Sequence, residues 1–285
     1  MSTITLLCTQ NQIDKIHSTF HDSLSDKTPA YAQFQCKLEG CVITAYQSKK
    51  VVFQGTDAEI FASAFMDSNK STIQSHAGSD EVGTGDYFGP ICVCACIVPE
   101  NAISTITSYG IQDSKMMTDD IIVKVAPDIM KLCPHSLLIL PNSKYNVVHQ
   151  HSNMNAIKAK LHNQAYINLS KKHPLPELVV VDQFAPEDLY YRYLAKEKII
   201  IRNIHFETKA ENKYLAVACA SVIARYAFLE SLKNYESHYN MTFLKGASDA
   251  VDRNAAEFVK KFGEKELTNV AKVHFKNTEK LREYL

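Results

Sequence analysis

Asp80, Glu81, Asp182 and Glu211 stand where a carboxylate could do chemistry. Asp80 and Glu81 are adjacent and run into the turn Val82-Gly83-Thr84-Gly85-Asp86-Tyr87-Phe88-Gly89-Pro90. Asp182 ends the apolar run Leu178-Val179-Val180-Val181, and Glu211 sits in Thr208-Lys209-Ala210-Glu211-Asn212-Lys213 at the start of a long apolar helix pattern. Carboxylates beside bare backbone amides suit hard divalent cations and the close approach of a sugar-phosphate chain. Such acids brought together would repel one another unless cations neutralise them. Two Mg²⁺ or Mn²⁺ ions about 3.5–4 Å apart would do so, activate a water and stabilise the leaving oxygen of a phosphodiester displacement. Blander readings stay open for two of the acids. Glu211 suits the positive end of a helix dipole, and Asp182 could cap the turn before Pro186. Asp80 and Glu81 as a pair resist that reading, because unpaired carboxylates are costly at a buried strand end. Neighbours in a regular strand face opposite sides, so a bulge or a carbonyl ligand is expected if both reach one site.

Elements must hold these residues in place. Strands are expected at 76–82, 90–98, 136–141, 178–182 and 198–204, with helices at 118–133, 153–172, 187–195 and 211–235. Thr118 is expected to cap the first of those helices, with Ile121, Ile122, Val125 and Ile129 as its apolar face. The 178–182 run has the pattern of a strand buried on both faces, which would deliver Asp182 to the carboxyl edge of the sheet. Residues 251–285 read as short helices, with Gly263 as a stop. Upstream, 9–25 reads as an amphipathic helix through Ile13, Ile16, Phe20 and Leu24. Three strands, Tyr31–Leu38, Cys41–Tyr46 and Val51–Gln54, follow it. Thr56-Asp57-Ala58-Glu59 has the form of a capping box opening a helix with Ile60, Phe61 and Phe65 inward. The organisation is an α+β unit over 1–66, a polar linker over 67–77 and an α/β domain over 78–285.

Bulk properties bound the partners. The 285 residues carry 31 basic and 31 acidic groups, so any nucleic-acid surface must come from local segregation of charge. The eight cysteines form no C-x-x-C pair. Cys92, Cys94 and Cys96 would share one strand face, where free cysteine packs as a small hydrophobe. No secretory leader is evident and no apolar stretch approaches about 20 residues, so no membrane span is expected. A reduced, cytoplasmic, monomeric protein fits these features.

The acidic turn Asp80-Glu81-Val-Gly-Thr-Gly-Asp-Tyr-Phe-Gly-Pro resembles the first motif of the type 2 ribonucleases H, and most of all their ribonuclease HIII branch. Further segments carry the same resemblance: Gln112-Asp113-Ser114-Lys115, Tyr145-Asn146, the helix segment Asn153 to Gln164, Val180-Val181-Asp182-Gln183-Phe184, Lys209-Ala210-Glu211, Ala218 to Arg225, and Lys272 to Thr278. It covers nearly all of 76–285. Val42 to Tyr46 and Val51 to Gly55 resemble the central strands of half a TATA-box-binding protein, a domain that ribonuclease HIII carries and ribonuclease HII lacks.

The resemblance implies an RNase H-like catalytic domain preceded by a small TATA-box-binding-protein-like substrate-binding domain. It implies endonucleolytic cleavage of the RNA strand of an RNA–DNA hybrid, leaving 5′-phosphate and 3′-hydroxyl ends. Asp80, Glu81, Asp182 and Glu211 map to the catalytic and metal-binding acids, holding two Mg²⁺ or Mn²⁺ ions. Gly83-Thr84-Gly85 would set backbone against the ribose 2′-hydroxyl, glycine being needed because a β-carbon would hold the chain away. Thr84 stands where the HII branch has a basic residue, so preference for a single embedded ribonucleotide is not implied. Ser114 and Asn146 would donate to phosphate or ribose, and Lys115, Lys144, Lys158, Lys209 and Arg225 would contact phosphate. In the first unit, Tyr46, Lys49 and Lys50, with Tyr31, Phe34, Phe53 and Lys37, would face the duplex, part of that aromatic set serving as core. His274 is expected to pack, not to transfer a proton.

Overall fold

The computed structural model describes residues 2–8, 10–66, 75–111 and 117–285. The chain divides into two units, Met1–Ile73 and Gln74–Leu285. In the first, β1 (Ser2–Leu7) leads to α1 (Gln10–Thr19), then β2 (Ala32–Leu38), β3 (Cys41–Tyr46), β4 (Lys50–Gly55) and α2 (Ala58–Met66). The strands form an antiparallel sheet in the order β1-β4-β3-β2. Alternation places Phe34, Cys36, Ile43, Ala45, Val51 and Phe53 on the face that packs against Ile13, Ile16, Ala62 and Phe65 of the two helices.

Here the structure corrects three expectations. β1 was not foreseen; its short Thr-Ile-Thr-Leu alternation is fixed by pairing with β4, Ile4 opposite Phe53. The first helix stops at Thr19, because Leu24 bridges Cys36 and the Ser25 amide donates to Gln35 O, drawing the chain into the sheet. Thr56 does not cap α2: its hydroxyl donates to Gly40 O, and Ile60 is exposed while Ala58, Ala62 and Phe65 point inward.

The second unit is built on a mixed sheet in the order β7-β6-β5-β8-β9. Its strands are β5 (His76–Val82), β6 (Ile91–Val98), β7 (His135–Leu140), β8 (Val179–Asp182) and β9 (Ile204–Glu207). β8 and β9 run parallel to β5; β6 and β7 are antiparallel neighbours. Helices α3 (Glu100–Ser108), α4 (Asp119–Leu132), α5 (Asn142–His149), α6 (Met154–Ser170) and α7 (Glu187–Tyr193) are interleaved with the strands. After β9 come α8 (Leu215–Tyr239), α9 (Asp249–Phe262), α10 (Glu264–Leu267) and α11 (Lys276–Lys280). β6 is buried along its whole length. Its Cys92, Cys94 and Cys96 face α8, while Ile91, Val93 and Ala95 face α6, so the sheet separates two cores.

Cys96, Cys133 and Cys219 bring their sulfurs within 4.8 Å of one another. Hydrogen bonding to Cys133 and Cys219, followed by burial, pushes the Cys96 thiol well up. The same hydrogen bonds, from Cys219 and then Cys96, lower the Cys133 thiol to about 4, and the trio packs β6 against the end of α4 and against α8.

Sequence reading placed no long apolar segment in the chain, yet α8 has the length and composition of a membrane span. It is the central helix of a core, with 67% of its apolar window buried. The expected 198–204 strand begins only at Ile204. Asn163 explains the delay: its Nδ2 donates to Ile199 O and its Oδ1 accepts from Ile201 N, both at 2.9 Å, giving this backbone partners without a ladder. The expected helix at 211 is a 3-10 turn, Ala210–Asn212, and α8 starts at Leu215. Thr118 caps α4 as expected, but Ile121 is exposed and Ile122, Ala126 and Ile129 form the inward face. α3 and α5 were not foreseen.

α8 lies close against β5. A Cβ added to Gly78 would sit 2.3 Å from Val217 N, a backbone atom that cannot swing aside. Gly78→Ala is therefore expected to cost about 2–4 kcal/mol in urea unfolding. A loss within ~0.5 kcal/mol would mean that α8 can retreat from the sheet.

Candidate active site

β5 keeps a regular register through its acids, Asp80 opposite Cys94 and Glu81 opposite Val93. No bulge turns the two carboxylates to one side. Asp80 is turned toward α8, where Ser221 gives it a side-chain hydrogen bond, and its Oδ1 accepts from the Glu81 amide at 2.7 Å. Glu81 is turned toward α6. Its Oε1 accepts from Lys158 Nζ at 2.5 Å and its Oε2 lies 2.8 Å from His162 Nε2. Lys158 and His162 are four residues apart, so one face of α6 presents both. His162 Nδ1 lies 2.7 Å from Ser79 Oγ, and the Lys158 ammonium sits 4.1 Å from the centre of the Phe184 ring.

Asp182 ends β8 and accepts from the Ala210 amide at 2.9 Å. That bond fastens the 3-10 turn to the sheet. Lys209 opens the turn in the left-handed conformation, φ 55°, and Glu211 follows. Glu211 Oε2 is buried and has no hydrogen-bond partner among the described residues.

The charges are unevenly compensated. Burial, then the charge of Glu81, pushes Asp80 well above the usual carboxylate range. Burial also raises Asp182, and Glu211 and Glu81 add to the rise against the Ala210 amide. For Glu81 burial acts upward too, but the hydrogen bond and charge of His162 and the charge of Lys158 outweigh it and hold the group below its ordinary value. Glu81 thus has an ion pair with Lys158 and a hydrogen bond with His162, whereas among the described residues no lysine or arginine pairs with Asp80, Asp182 or Glu211. An all-oxygen donor set with uncompensated negative charge fits a hard divalent cation, with Asp80, Asp182 and Glu211 as the groups that would hold it.

The other expected residues are dispersed more widely. Gly83 is buried with φ +93°, and a Cβ there would lie 2.2 Å from Pro90 O. The turn itself therefore needs glycine at this position, a constraint beside the expected approach of the sugar. Gly85 is exposed with nothing within 4 Å of an added Cβ, and Thr84 is half-buried. Lys158 is committed to Glu81, away from solvent. Asn146 donates to Thr268 O and Ala271 O and accepts from the Val273 amide, which ties α5 to the C-terminal segment. Arg225 donates to Asp119 and to Met117 O. Lys144 and Lys209 are exposed. Ser114 and Lys115 lie outside the described residues. His274 stacks on His149 with ring centres 3.8 Å apart, and burial, then His149, lowers it to about 4. In the first unit Lys49 and Lys50 are exposed, Tyr46 is half-buried, and Phe34 and Phe53 are core. Sequence reading did not single out Ser79, His162 or Phe184. The i, i+4 pair Lys158 and His162, in a helix expected beside the acidic strand, was the available signal.

A mixed sheet carrying acids at the ends of adjacent strands, with a core on each side, is the arrangement of a ribonuclease H-type nuclease. Residues 77–278 match the family model described as Ribonuclease HII, and residues 3–77 match a domain of unknown function (DUF3378). The chain is 40% identical to ribonuclease HIII of Bacillus pumilus and 41% identical to that of Listeria monocytogenes, each over 98% of both chains. It is similar to the crystal structure of Bst-RNase HIII in complex with Mn²⁺, with a TM-score of 0.76 and 37% identity over 99% of this chain and 98% of that one. The chain belongs to the ribonuclease HIII family, enzymes that cleave RNA in RNA–DNA hybrids.

The raised carboxyls have a thermal signature. A group whose pKa is higher in the fold than in the unfolded chain favours folding in acid and loses that contribution as pH rises through its folded value. The metal-free protein should therefore lose stability from Asp80 and Asp182 on going from acid to pH 8, and Mn²⁺ should restore it. Asp80→Asn should raise metal-free stability at pH 8 by about 1 kcal/mol and shrink the Mn²⁺-induced rise in Tm. A lower metal-free Tm with an undiminished Mn²⁺ shift would contradict this reading of Asp80.

Proposed function

We propose that Asp80, Glu81, Asp182 and Glu211 form a two-ion centre that hydrolyses the RNA strand of an RNA–DNA hybrid endonucleolytically, leaving 5′-phosphate and 3′-hydroxyl ends. The observation that carries this reading is the buried, unpartnered Glu211 oxygen beside Asp182, with Asp80 and Asp182 both disfavoured as bare anions. Mg²⁺ or Mn²⁺ bound there supplies an activated water and stabilises the leaving oxygen.

The chain's own residues do the rest. Asp80, Asp182 and Glu211 hold the ions. Lys158 and His162 keep Glu81 ionised and aimed along α6, so its carboxylate is oriented before substrate arrives. Thr84 and Gly85 offer open backbone to the ribose 2′-hydroxyl, the group that separates RNA from DNA. Lys209, exposed beside Glu211, reaches the phosphate chain, with Ser114 and Lys115 joining it. Tyr46, Lys49 and Lys50 contact the duplex from the first unit and add a salt-sensitive share of binding. Free thiols at all the described cysteine positions suit work in the cytoplasm.

Cleavage of an end-labelled hybrid is the direct test, beside matched all-DNA and all-RNA duplexes, with Mg²⁺, Mn²⁺ or EDTA. Incision of the hybrid's RNA strand alone, abolished by EDTA, is expected; equal cutting of all duplexes would reassign the protein to the general nucleases. Gly85→Ala should leave Tm unchanged, since the added methyl meets nothing in the fold. It should lower kcat/KM on hybrids by about tenfold; an unaffected rate would remove this turn from ribose recognition. Removing residues 1–66 should raise KM for hybrids, with kcat within about threefold of the full chain. A collapse of kcat at constant KM would show that the first unit is not a binding module.

A further inference from the structure

Lys272 has no exposed surface, and nothing in the catalytic reading uses it. Its Nζ donates to Asp86 O at 2.8 Å and to Gly89 O at 2.5 Å, two carbonyls of the turn that carries Thr84 and Gly85. Its backbone amide donates to Tyr87 O at 2.9 Å, and Gly89 N donates to Val270 O at 3.0 Å. Phe88 bridges Ala271, and the Tyr87 hydroxyl lies 2.9 Å from Thr278 Oγ1. On the other side, Gly246 N donates to Asp86 Oδ1 and Tyr87 N to Gly246 O. Residues 86–89 are thus fastened by segments more than 150 positions later in the chain.

A lysine in this position is expensive. Burial pushes its ammonium down to about 7, against the upward pull of Asp86 and Cys92. An apolar side chain would fill the space at a lower desolvation cost but would leave two buried carbonyls without donors. Two carbonyls also match the two hydrogens of a neutral amine, so the grip survives loss of the proton.

We propose that Lys272 is a positioning residue for ribose recognition: by gripping the Asp86 and Gly89 carbonyls it holds the open Thr84-Gly85 backbone in register with the RNA strand, without touching substrate or metal. This rests on the reading of that backbone as the part that meets the 2′-hydroxyl. The exposed Gly85 lies between Gly83, locked against Pro90 and Phe228, and Asp86, locked by Lys272. Loosening either anchor would let the recognition backbone wander while leaving the acids, on β5, β8 and the 3-10 turn, where they are.

The test is Lys272→Met in the full chain, read by hybrid-cleavage kinetics, Mn²⁺ titration calorimetry and amide hydrogen exchange over residues 83–90. KM for the hybrid should rise about tenfold with kcat within about threefold. Mn²⁺ affinity should stay within about twofold of the parent, and exchange should accelerate over 83–90. Combining Lys272→Met with Gly85→Ala should raise KM by less than the product of the single effects, because both act at one turn. Unchanged KM, or Mn²⁺ affinity and kcat lost together, would overturn the proposal. If Lys272→Met does not fold, Thr278→Val, which cuts the Tyr87 contact alone, decides: a KM rise of about threefold at constant kcat supports the clamp, and an unchanged KM removes it. A parent that cuts no hybrid would instead refute the substrate reading.

Discussion

Carboxylates crowded together and partly withdrawn from water repel one another, and the catalytic unit is arranged around that repulsion. Asp80 and Asp182 are held at the ends of neighbouring strands of one sheet, so neither can swing into solvent without unpairing backbone. Glu211 arrives from a turn whose first amides are taken by Asp182 and by the turn itself. Among the described residues the fold pairs a lysine or arginine with only one of the four acids, Glu81, through Lys158, and His162 hydrogen-bonds the same carboxylate. A protein selected for stability alone would have no reason to keep the imbalance. A cation supplied from outside gives it one.

Rigid support follows from the same need. Gly78 admits the backbone of α8 so closely that a methyl would collide with it, and Ser221 on that helix then reaches Asp80. α6, on the opposite face, carries Lys158 and His162 to Glu81 and Asn163 to the 199–201 backbone. One helix therefore orients an acid and also ends the region where a strand could begin. The C-terminal segment works at the open end, where Lys272 and Val270 pin the turn that follows β5.

What the sequence revealed depended on the range of the interaction involved. The β5, β6 and β8 strands, the cap at Thr118 and the acids themselves are local patterns: apolar runs, alternation and turn residues within a few positions. β1 escaped because six residues of Ser, Thr, Ile and Leu become a strand only against β4. Residues 199–201 have the composition of a strand but not its hydrogen bonds, because a side chain 36 positions earlier takes them. The approach of Pro90 O to Gly83 is a constraint that the turn sequence alone does not display. Lys158 was assigned to phosphate because a lysine in a matching motif reads as a surface cation; only the fold places it against Glu81. Ser114 and Lys115 fall outside the described residues and stay at the level of resemblance.

The regular register of β5 through Asp80 and Glu81 sends the two acids into different neighbourhoods. One answers to the cysteine-rich core under α8, the other to the aromatic core under α6. The packing that supports each acid is therefore largely separate. A volume change beneath α8 is felt first by Asp80, and one beneath α6 by Glu81. The two acids can thus be perturbed from separate cores but not in isolation, because the charge of Glu81 itself raises Asp80.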